Sequence, residues 1–218
     1  MSFVAVVHNN HLTFNGIQYF RASAESLTIG TYGEKRTPLT GQNYLEAQAD
    51  IPAPKLVVRT ATIVDIDFTK SRSADIKLGL KVAGNQVDAD TAFSNLKAGK
   101  LKLVKLEMRL GDVKDAVNAS PQVLGDLRSY GHDARVCQQI FVIMEATLAQ
   151  TFSNATNIGF SRDSGTLRLT ANAGTSGSGG TAVSLSAGTT YAYLLCKADW
   201  ERGKDRVEKF VDDQWSFS

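Results

Sequence analysis

The chain has 218 residues, of which 43% are hydrophobic and 21% are charged, and its formal net charge is +2. This length and apolar content suffice for one large domain or two small ones, and they exclude a collagen-like or disordered chain. A net charge of +2 is too small to indicate nucleic-acid binding, so we expect no nucleic-acid partner.

Short strand-like segments open the chain. The predicted strands of this part are residues 3–7, 12–20 and 24–32. Asn15-Gly16 is typical of a tight hairpin turn. Glycines and prolines then interrupt the sequence, so residues 33–54 are expected to form a loop or cover element, with one or two helical turns over residues 43–49.

Apolar and polar residues alternate over most of residues 55–110, as expected of strands that bury one face. One strand is predicted over Ala74–Val82 and another over Leu101–Leu110. The apolar phase of the second strand slips between Leu103 and Val104, which favours a β-bulge or a twist.

Two other stretches have helical character. A short helix is predicted over residues 90–98, with Asp90 as its N-cap. Apolar residues recur at helical spacing over residues 112–130, where Ser120 followed by Pro121 is a favourable start for the second of two short helices.

Strand patterns return after this insert. The run Val136–Leu148 is the most apolar of the chain and predicts a central strand that is buried on both faces. Residues 156–161 and 165–173 are expected to pair as a hairpin, and residues 183–196 complete the sheet.

We therefore predict an α+β fold, a single β-rich domain over residues 1–198. Its sheet is twisted and mainly antiparallel, with short helical inserts, the main one at about residues 112–130. Residues 199–218 form a charged and aromatic C-terminal tail with a docking or inhibitory role. The aromatic residues expected to dock this tail are Trp200, Phe210, Trp215 and Phe217.

Candidate catalytic and metal-binding residues do not form a convincing set. His8 and His11 lie three positions apart, but no further ligands of suitable type are nearby. His132 and Cys137 are close in sequence, but an extended strand would place the cysteine inside the sheet. We therefore expect no enzyme, metal, cofactor or small-molecule substrate.

The two cysteines, Cys137 and Cys196, are predicted to be small buried hydrophobic residues, and the sequence leaves open whether they pair. The N-terminus lacks the basic start and continuous apolar run of a signal peptide. These features favour a reduced cytoplasmic location.

Charge is unevenly distributed along the chain. Residues 55–109 contain eleven basic and six acidic residues, whereas residues 199–213 contain six acidic and four basic ones. The basic residues expected to contact an acidic lipid or partner are Lys77, Lys81, Lys97, Lys100, Lys102 and Lys105. An acidic tail that folds over this region could mask it.

Three stretches together resemble the pore-forming domain of gasdermins, in particular the bacterial type, over about residues 70–198. The segment KSRSADIKLGLKVAGNQVDADTAFSNLKAGKLKLVKLEMRL is similar to the first alternating hairpin of that family. The segment NASPQVLGDLRSYGHDARVCQQIFVIMEATLAQTF is similar to its helix and central strand. The segment TAVSLSAGTTYAYLLCKADW is similar to its closing strand pair.

The resemblance implies a twisted sheet that oligomerises and refolds into membrane-spanning hairpins, so that the protein becomes membrane-associated after activation. The partners would be further copies of the chain and an anionic membrane. Residues proposed to insert into the membrane or to face a partner are Ile76, Leu78, Leu80, Val82, Val104, Leu106 and Met108. The chain lacks the N-terminal cysteine that carries the acyl group of bacterial members.

Two functions follow from these one-sided strands. The first is a non-enzymatic, gasdermin-like pore former that its tail keeps inactive. The alternative is a structural or assembly subunit, of the virion or secretion-particle type, that buries the same strand faces against copies of itself.

Overall fold

The structure is a computed structural model. It describes residues 3–52, 56–76, 81–82, 85–155, 157–163, 166–172, 180–186, 188–203 and 205–215. The strands, in chain order, are β1 (Val4–Val7), β2 (His11–Phe14), β3 (Ile17–Phe20), β4 (Thr31–Arg36), β5 (Tyr44–Asp50), β6 (Thr60–Ile66), β7 (Lys81–Val82), β8 (Asn85–Gln86), β9 (Leu101–Glu107), β10 (Ala134–Glu145), β11 (Asn157–Asp163), β12 (Thr166–Asn172), β13 (Thr181–Leu185), β14 (Thr190–Trp200) and β15 (Val207–Asp213). The helices are α1 (Ser73–Ile76), α2 (Ala89–Lys97), α3 (Leu110–Asn118), α4 (Pro121–Ser129) and α5 (Ala146–Ser153).

The long strands β10 and β14 pair with each other and are shared by two structures. In the first, they join β3, β2, β1, β6 and β9 in a closed seven-stranded barrel. In the second, they form the middle of an open sheet in the order β5-β4-β10-β14-β15. The sharing is possible because each long strand changes its outer neighbour along its length: β10 pairs first with β4 and then with β9.

Both faces of the barrel wall are covered, which explains the irregular apolar pattern of β9. Leu101 and Leu103 point into the barrel core, whereas Val104 and Leu106 belong to a second core outside the wall. Helix α5 packs on that outer side, against β6 and β9. The ladders of β9 are regular through these positions, so the predicted bulge is wrong and burial of both faces replaces it.

A separate three-stranded sheet, in the order β11-β12-β13, packs its apolar face on the outer core. Strands β11 and β12 pair over seven positions, from Asn157 with Asn172 to Asp163 with Thr166. The predicted hairpin is therefore confirmed, and it lies outside the ladder that links the barrel and the open sheet.

Three predicted segments adopt other structures. Ser73–Ile76 is a helical turn, and residues 77–80 lie outside the described residues. Strand β9 pairs with β6 and β10, so it forms no hairpin with the described residues of the predicted strand Ala74–Val82. Residues 43–49, predicted as helical turns, lie mainly in β5. Residues 24–32 begin with a 3-10 turn rather than a strand. In each case pairing and packing with distant elements override the local pattern.

Several local signals are confirmed. Asn15 and Gly16 both have positive φ, 50° and 79°, as the central residues of a tight hairpin turn require. The helical insert consists of α3 and α4, and Pro121 occupies the first turn of α4. The N-cap of α2 is Asp88 rather than Asp90, because the Asp88 carboxylate accepts hydrogen bonds from the amides of Asp90 and Thr91.

The chain is strand-rich, with 47% strand and 24% helix, so the prediction of a β-rich single domain is confirmed. The helices are short, and the α+β label describes them only loosely. Within the described ranges, no helix combines the length and apolar character needed to cross a membrane.

Candidate interaction surface

The open sheet ends in two edge strands, β5 and β15. Each of its five strands is antiparallel to its neighbours. The first and the fifth strand of such an order run in the same direction, so β5 and β15 are parallel to each other. An edge strand presents unpaired backbone groups that can add a strand from another chain.

The exposed run at residues 47–49 of β5 is uncharged. Ala47, Gln48 and Ala49 are exposed, and β5 pairs with β4 along its other edge. Gly33 of β4 lets the two strands approach closely, because a Cβ at this position would lie 2.0 Å from the Glu46 carbonyl oxygen. The ladder between β4 and β5 shifts register between Tyr32 and Gly33 and leaves Gln48 of β5 without a paired residue in β4, so β5 is closely held but bends at a β-bulge.

Strand β15 lies within the predicted C-terminal tail, residues 199–218. It pairs with β14 from Leu195 to Trp200. Ion pairs hold the C-terminal end of β15 to other strands of the open sheet. The Asp213 carboxylate accepts hydrogen bonds from Lys35 Nζ at 2.9 and 3.0 Å and from Arg135 Nε. The Arg135 side chain is only 6% exposed, so this ion pair is largely shielded from water.

Three further contacts hold the tail. The Asn118 side chain of α3 donates to the Val207 carbonyl and accepts from its amide, both at 2.9 Å. The Trp215 ring stacks on His11 with a centroid separation of 4.3 Å, and His11 stacks on His8 at the same separation. The Trp215 amide donates to the carbonyl oxygen of Gln18 at 2.9 Å.

The predicted tail-docking residues occupy different environments. Phe210 and Trp215 are buried in the outer core, and Trp200 is partly buried beside it. Arg128 of α4 lies over the Trp200 ring at 5.8 Å. Phe217 lies outside the described residues.

The residues proposed for membrane insertion or partner contact are divided between the two cores. Ile76 and Val82 are buried in the barrel core, whereas Val104, Leu106 and Met108 are buried in the outer core. Leu78 and Leu80 lie outside the described residues. The barrel wall therefore separates the described members of this set, and they form no common surface.

The predicted basic surface is also divided. Lys102 pairs with Asp65 at 2.7 Å, and Lys105 pairs with Glu107 at 2.6 Å. Lys97 and Lys100 are exposed. Lys77 and the side chain of Lys81 lie outside the described residues.

Lys105 belongs to a polar network at one end of the barrel interior. Tyr19 donates to the Gln139 side chain at 3.0 Å, and Gln139 donates to Glu107 at 3.3 Å. Lys105 lies over the Phe14 ring at 5.7 Å. Burial, followed by the charge of Glu107, raises the pKa of Tyr19, so the hydroxyl remains protonated and serves as a donor.

The cysteines are free and buried. Cys137 pairs with Leu195, and Cys196 pairs with Val136, so the two side chains project from opposite faces of the β10–β14 pair. They are therefore not placed to form a disulfide. Burial raises the pKa of both thiols, which makes them poor nucleophiles.

Comparison of the chain with protein-family models, with curated proteins and with solved structures gives no match. The interaction surface is thus argued from geometry. The residues that sequence reasoning missed are those of β5. A period-two signal was present there, since Leu45, Ala47 and Ala49 alternate with polar residues.

Proposed function

We propose that this protein is a non-enzymatic assembly subunit that joins copies of itself through the edges of its open sheet. The observation that carries the proposal is the pair of terminal strands, β5 and β15, at opposite ends of one five-stranded sheet. Edge strands of monomeric proteins usually carry lysine, proline, a β-bulge or a cover. In β5 the exposed run Ala47-Gln48-Ala49 contains neither lysine nor proline, and a β-bulge at Gln48 interrupts its ladder with β4.

The strand directions define the contact. Because β5 and β15 run the same way, a copy that continues the sheet places its β5 parallel to β15 of the previous copy. This head-to-tail contact uses two different surfaces. It closes into a ring when the rotation between copies permits, and otherwise it extends into a filament.

Val211 contributes to the β15 side of this contact. Its side chain is 43% exposed on an edge strand, between the buried Phe210 and the charged Asp212. An exposed valine favours the extended backbone and offers apolar area to a neighbouring strand. The charged anchor at Asp213 holds β15 in place for this role.

Light scattering over about 1–200 μM protein, a range that covers moderate affinities, tests the proposal. We expect the mass to rise with concentration. Ala49→Lys and Val211→Lys should each prevent growth, because a lysine opposes edge pairing. Gln122→Lys, on the exposed side of α4, is the matched control and should assemble like the wild type.

Mixing the two lysine variants tests the head-to-tail geometry. Each variant keeps one intact edge, so the mixture should form a capped dimer while each variant alone stays monomeric. Assembly that Ala49→Lys stops and Val211→Lys leaves intact would instead indicate a two-fold contact between β5 strands. A wild-type chain that remains monomeric throughout the range would remove the proposed function.

A second function, membrane pore formation, is favoured by the three-stranded sheet. Its hairpin β11–β12 places Ile158, Leu167 and Leu169 on one apolar face, while Arg168 and Thr170 alternate with them. This sheet is not part of the main ladder, so it could detach without breaking that ladder. Its strands have seven residues, fewer than the 9–11 or so of a membrane strand, so insertion requires lengthening.

Dye release from anionic vesicles tests this second function. Release should increase in Asp213→Asn, which loosens the tail, if the tail restrains the protein. Phe160→Asp, on the apolar face of the hairpin, should abolish release, whereas Ser161→Asp, on the polar face, should not. If the wild type and the three variants are all folded and none of them releases dye, pore formation is rejected.

A further inference from the structure

A cleft of about 460 Å³ lies beside the N-terminal end of β14. It is lined by residues from the β1–β2 loop, the end of β3, the 3-10 turn, the β4–β5 loop and the start of β14. The lining residues used below are Asn9, Arg21, Glu25, Gln42 and Tyr191.

Arg21 is the unusual residue of this cleft, because its charged side chain is buried to all but 9%. Nη1 donates to the backbone carbonyls of His8 and Asp75, both at 2.6 Å. The guanidinium lies over the Tyr191 ring, 4.5 Å from its centroid. These contacts fix the guanidinium plane at the wall of the cleft.

Arg21 forms no ion pair in the described part of the chain, although the nearby Asp75 carboxylate acts on its charge from a greater distance. The Asp75 carboxylate is taken by Arg72, whose Nε lies 2.9 Å from it, and Arg21 reaches only the Asp75 backbone. Arg21 Nε is buried and has no hydrogen-bond partner among the described residues. A buried cation whose partners are neutral carbonyls and a ring is costly, and a bound anion would offset that cost.

We propose that this cleft binds a small carboxylate through the guanidinium of Arg21. The guanidinium nitrogen Nη2, which neither carbonyl engages, can donate a charge-assisted hydrogen bond to a carboxylate oxygen. The side-chain amides of Asn9 and Gln42 supply further hydrogen-bonding groups in the same cleft. Glu25 disfavours ligands with two negative charges, so a singly charged carboxylate fits better than phosphate.

The test is a titration of the ¹⁵N-labelled full-length protein with sodium acetate, following the Nε–H resonance of Arg21. We expect a saturable shift at about 1–30 mM acetate, the range for so small a ligand. Sodium chloride at equal ionic strength should give none, and phosphate should bind more weakly than acetate. No saturable shift with acetate, or tighter binding of phosphate, would overturn the proposal.

Variants at the rim avoid disturbing the two carbonyl contacts of Arg21. Glu25→Gln should tighten acetate binding about fivefold, and Gln42→Glu should weaken it about fivefold, by removal or addition of one nearby charge. Glu208→Gln, on the exposed side of β15, is the distant control and should change nothing. Unchanged affinity in both rim variants would place the acetate elsewhere and reject the site.

Discussion

The barrel and the open sheet are built on the same two strands, yet they end differently. Around the barrel, β10 and β14 are linked through five further strands, so that ladder has no edge. In the open sheet, β4 and β5 lie on one side of the same two strands and β15 lies on the other. This ladder therefore has two edges, β5 and β15. Closure satisfies the backbone within one chain, whereas an open ladder leaves that pairing capacity for a neighbour.

The two regions also differ in what holds them. The barrel interior is filled by apolar and aromatic side chains, and Phe141 lies edge-to-face against Tyr19 and Phe14 with centroid separations of 4.8 and 5.8 Å. The open sheet relies in addition on charges that cross it, from Lys35 and Arg135 to Asp213. Stability should therefore be more sensitive to cavities in the barrel and more sensitive to charge in the open sheet.

The largest effect is expected from Phe141→Ala. It removes a fully buried ring from the barrel and should lower the free energy of unfolding by about 3–5 kcal/mol in a urea titration. Phe3→Ala is the matched control, because Phe3 is 48% exposed, and it should cost under about 1 kcal/mol. Similar losses in the two variants would contradict a packed barrel interior.

Gly33→Ala should act on the open sheet alone. The new Cβ would lie 2.0 Å from a backbone oxygen of β5, so that strand must shift, at a cost of about 2–3 kcal/mol. Hydrogen exchange should then accelerate in β5 and remain slow in the barrel strands. Gly125→Ala, in α4 with open space around it, should instead stabilise by roughly 0.5–1 kcal/mol.

Asp213→Asn should cost about 2 kcal/mol, because it leaves the shielded Arg135 without its charged partner. The loss should depend little on salt, since Arg135 is mostly buried. Asp205→Asn is a suitable comparison, because Asp205 pairs with Arg128 at an exposed site. Its effect should be small and should vanish at high salt, and equal effects of the two variants would argue against the tail anchor.

The smallest effect concerns His11. Burial, followed by the charges of His8 and Arg21, lowers its pKa from 6.5 to about 4. Between these values the unfolded chain binds more protons than the folded one, so stability falls as the pH falls from 6.5 towards 4. The loss should reach about 1 kcal/mol, since the ring is partly exposed. His11→Phe, which keeps an aromatic ring against Trp215, should flatten this part of the curve.

Local signals predicted those parts of the fold in which neighbours along the chain decide the structure. The Asn15-Gly16 turn, the two helices of the insert and the β11–β12 hairpin each follow from turn, cap or periodic patterns. The central role of β10 followed from its mainly apolar run, and the strand is buried from Ala134 to Met144. In these segments the side-chain pattern and the backbone preference agree.

The candidate site was less predictable. Ile76 and Val82 were predicted to share a membrane-facing or partner-facing surface with Val104, Leu106 and Met108, but the two groups fill different cores on the two sides of one wall. Lys102 and Lys105 were predicted to form a basic surface, but Lys102 pairs with Asp65 of β6 and Lys105 pairs with Glu107 of β9 itself. A period-two pattern shows which residues share one side of a strand, but it does not show which part of the protein covers that side.

By itself the sequence determined that this is a β-rich domain with a helical insert, because period-two and period-3.6 patterns reflect which faces each segment must bury. Only the tertiary structure decided that two strands serve both a closed barrel and an open sheet, and that β5 and β15 end that sheet. Strand order and closure depend on pairings between residues far apart in the chain, such as Val136 with Cys196, and no local pattern encodes them.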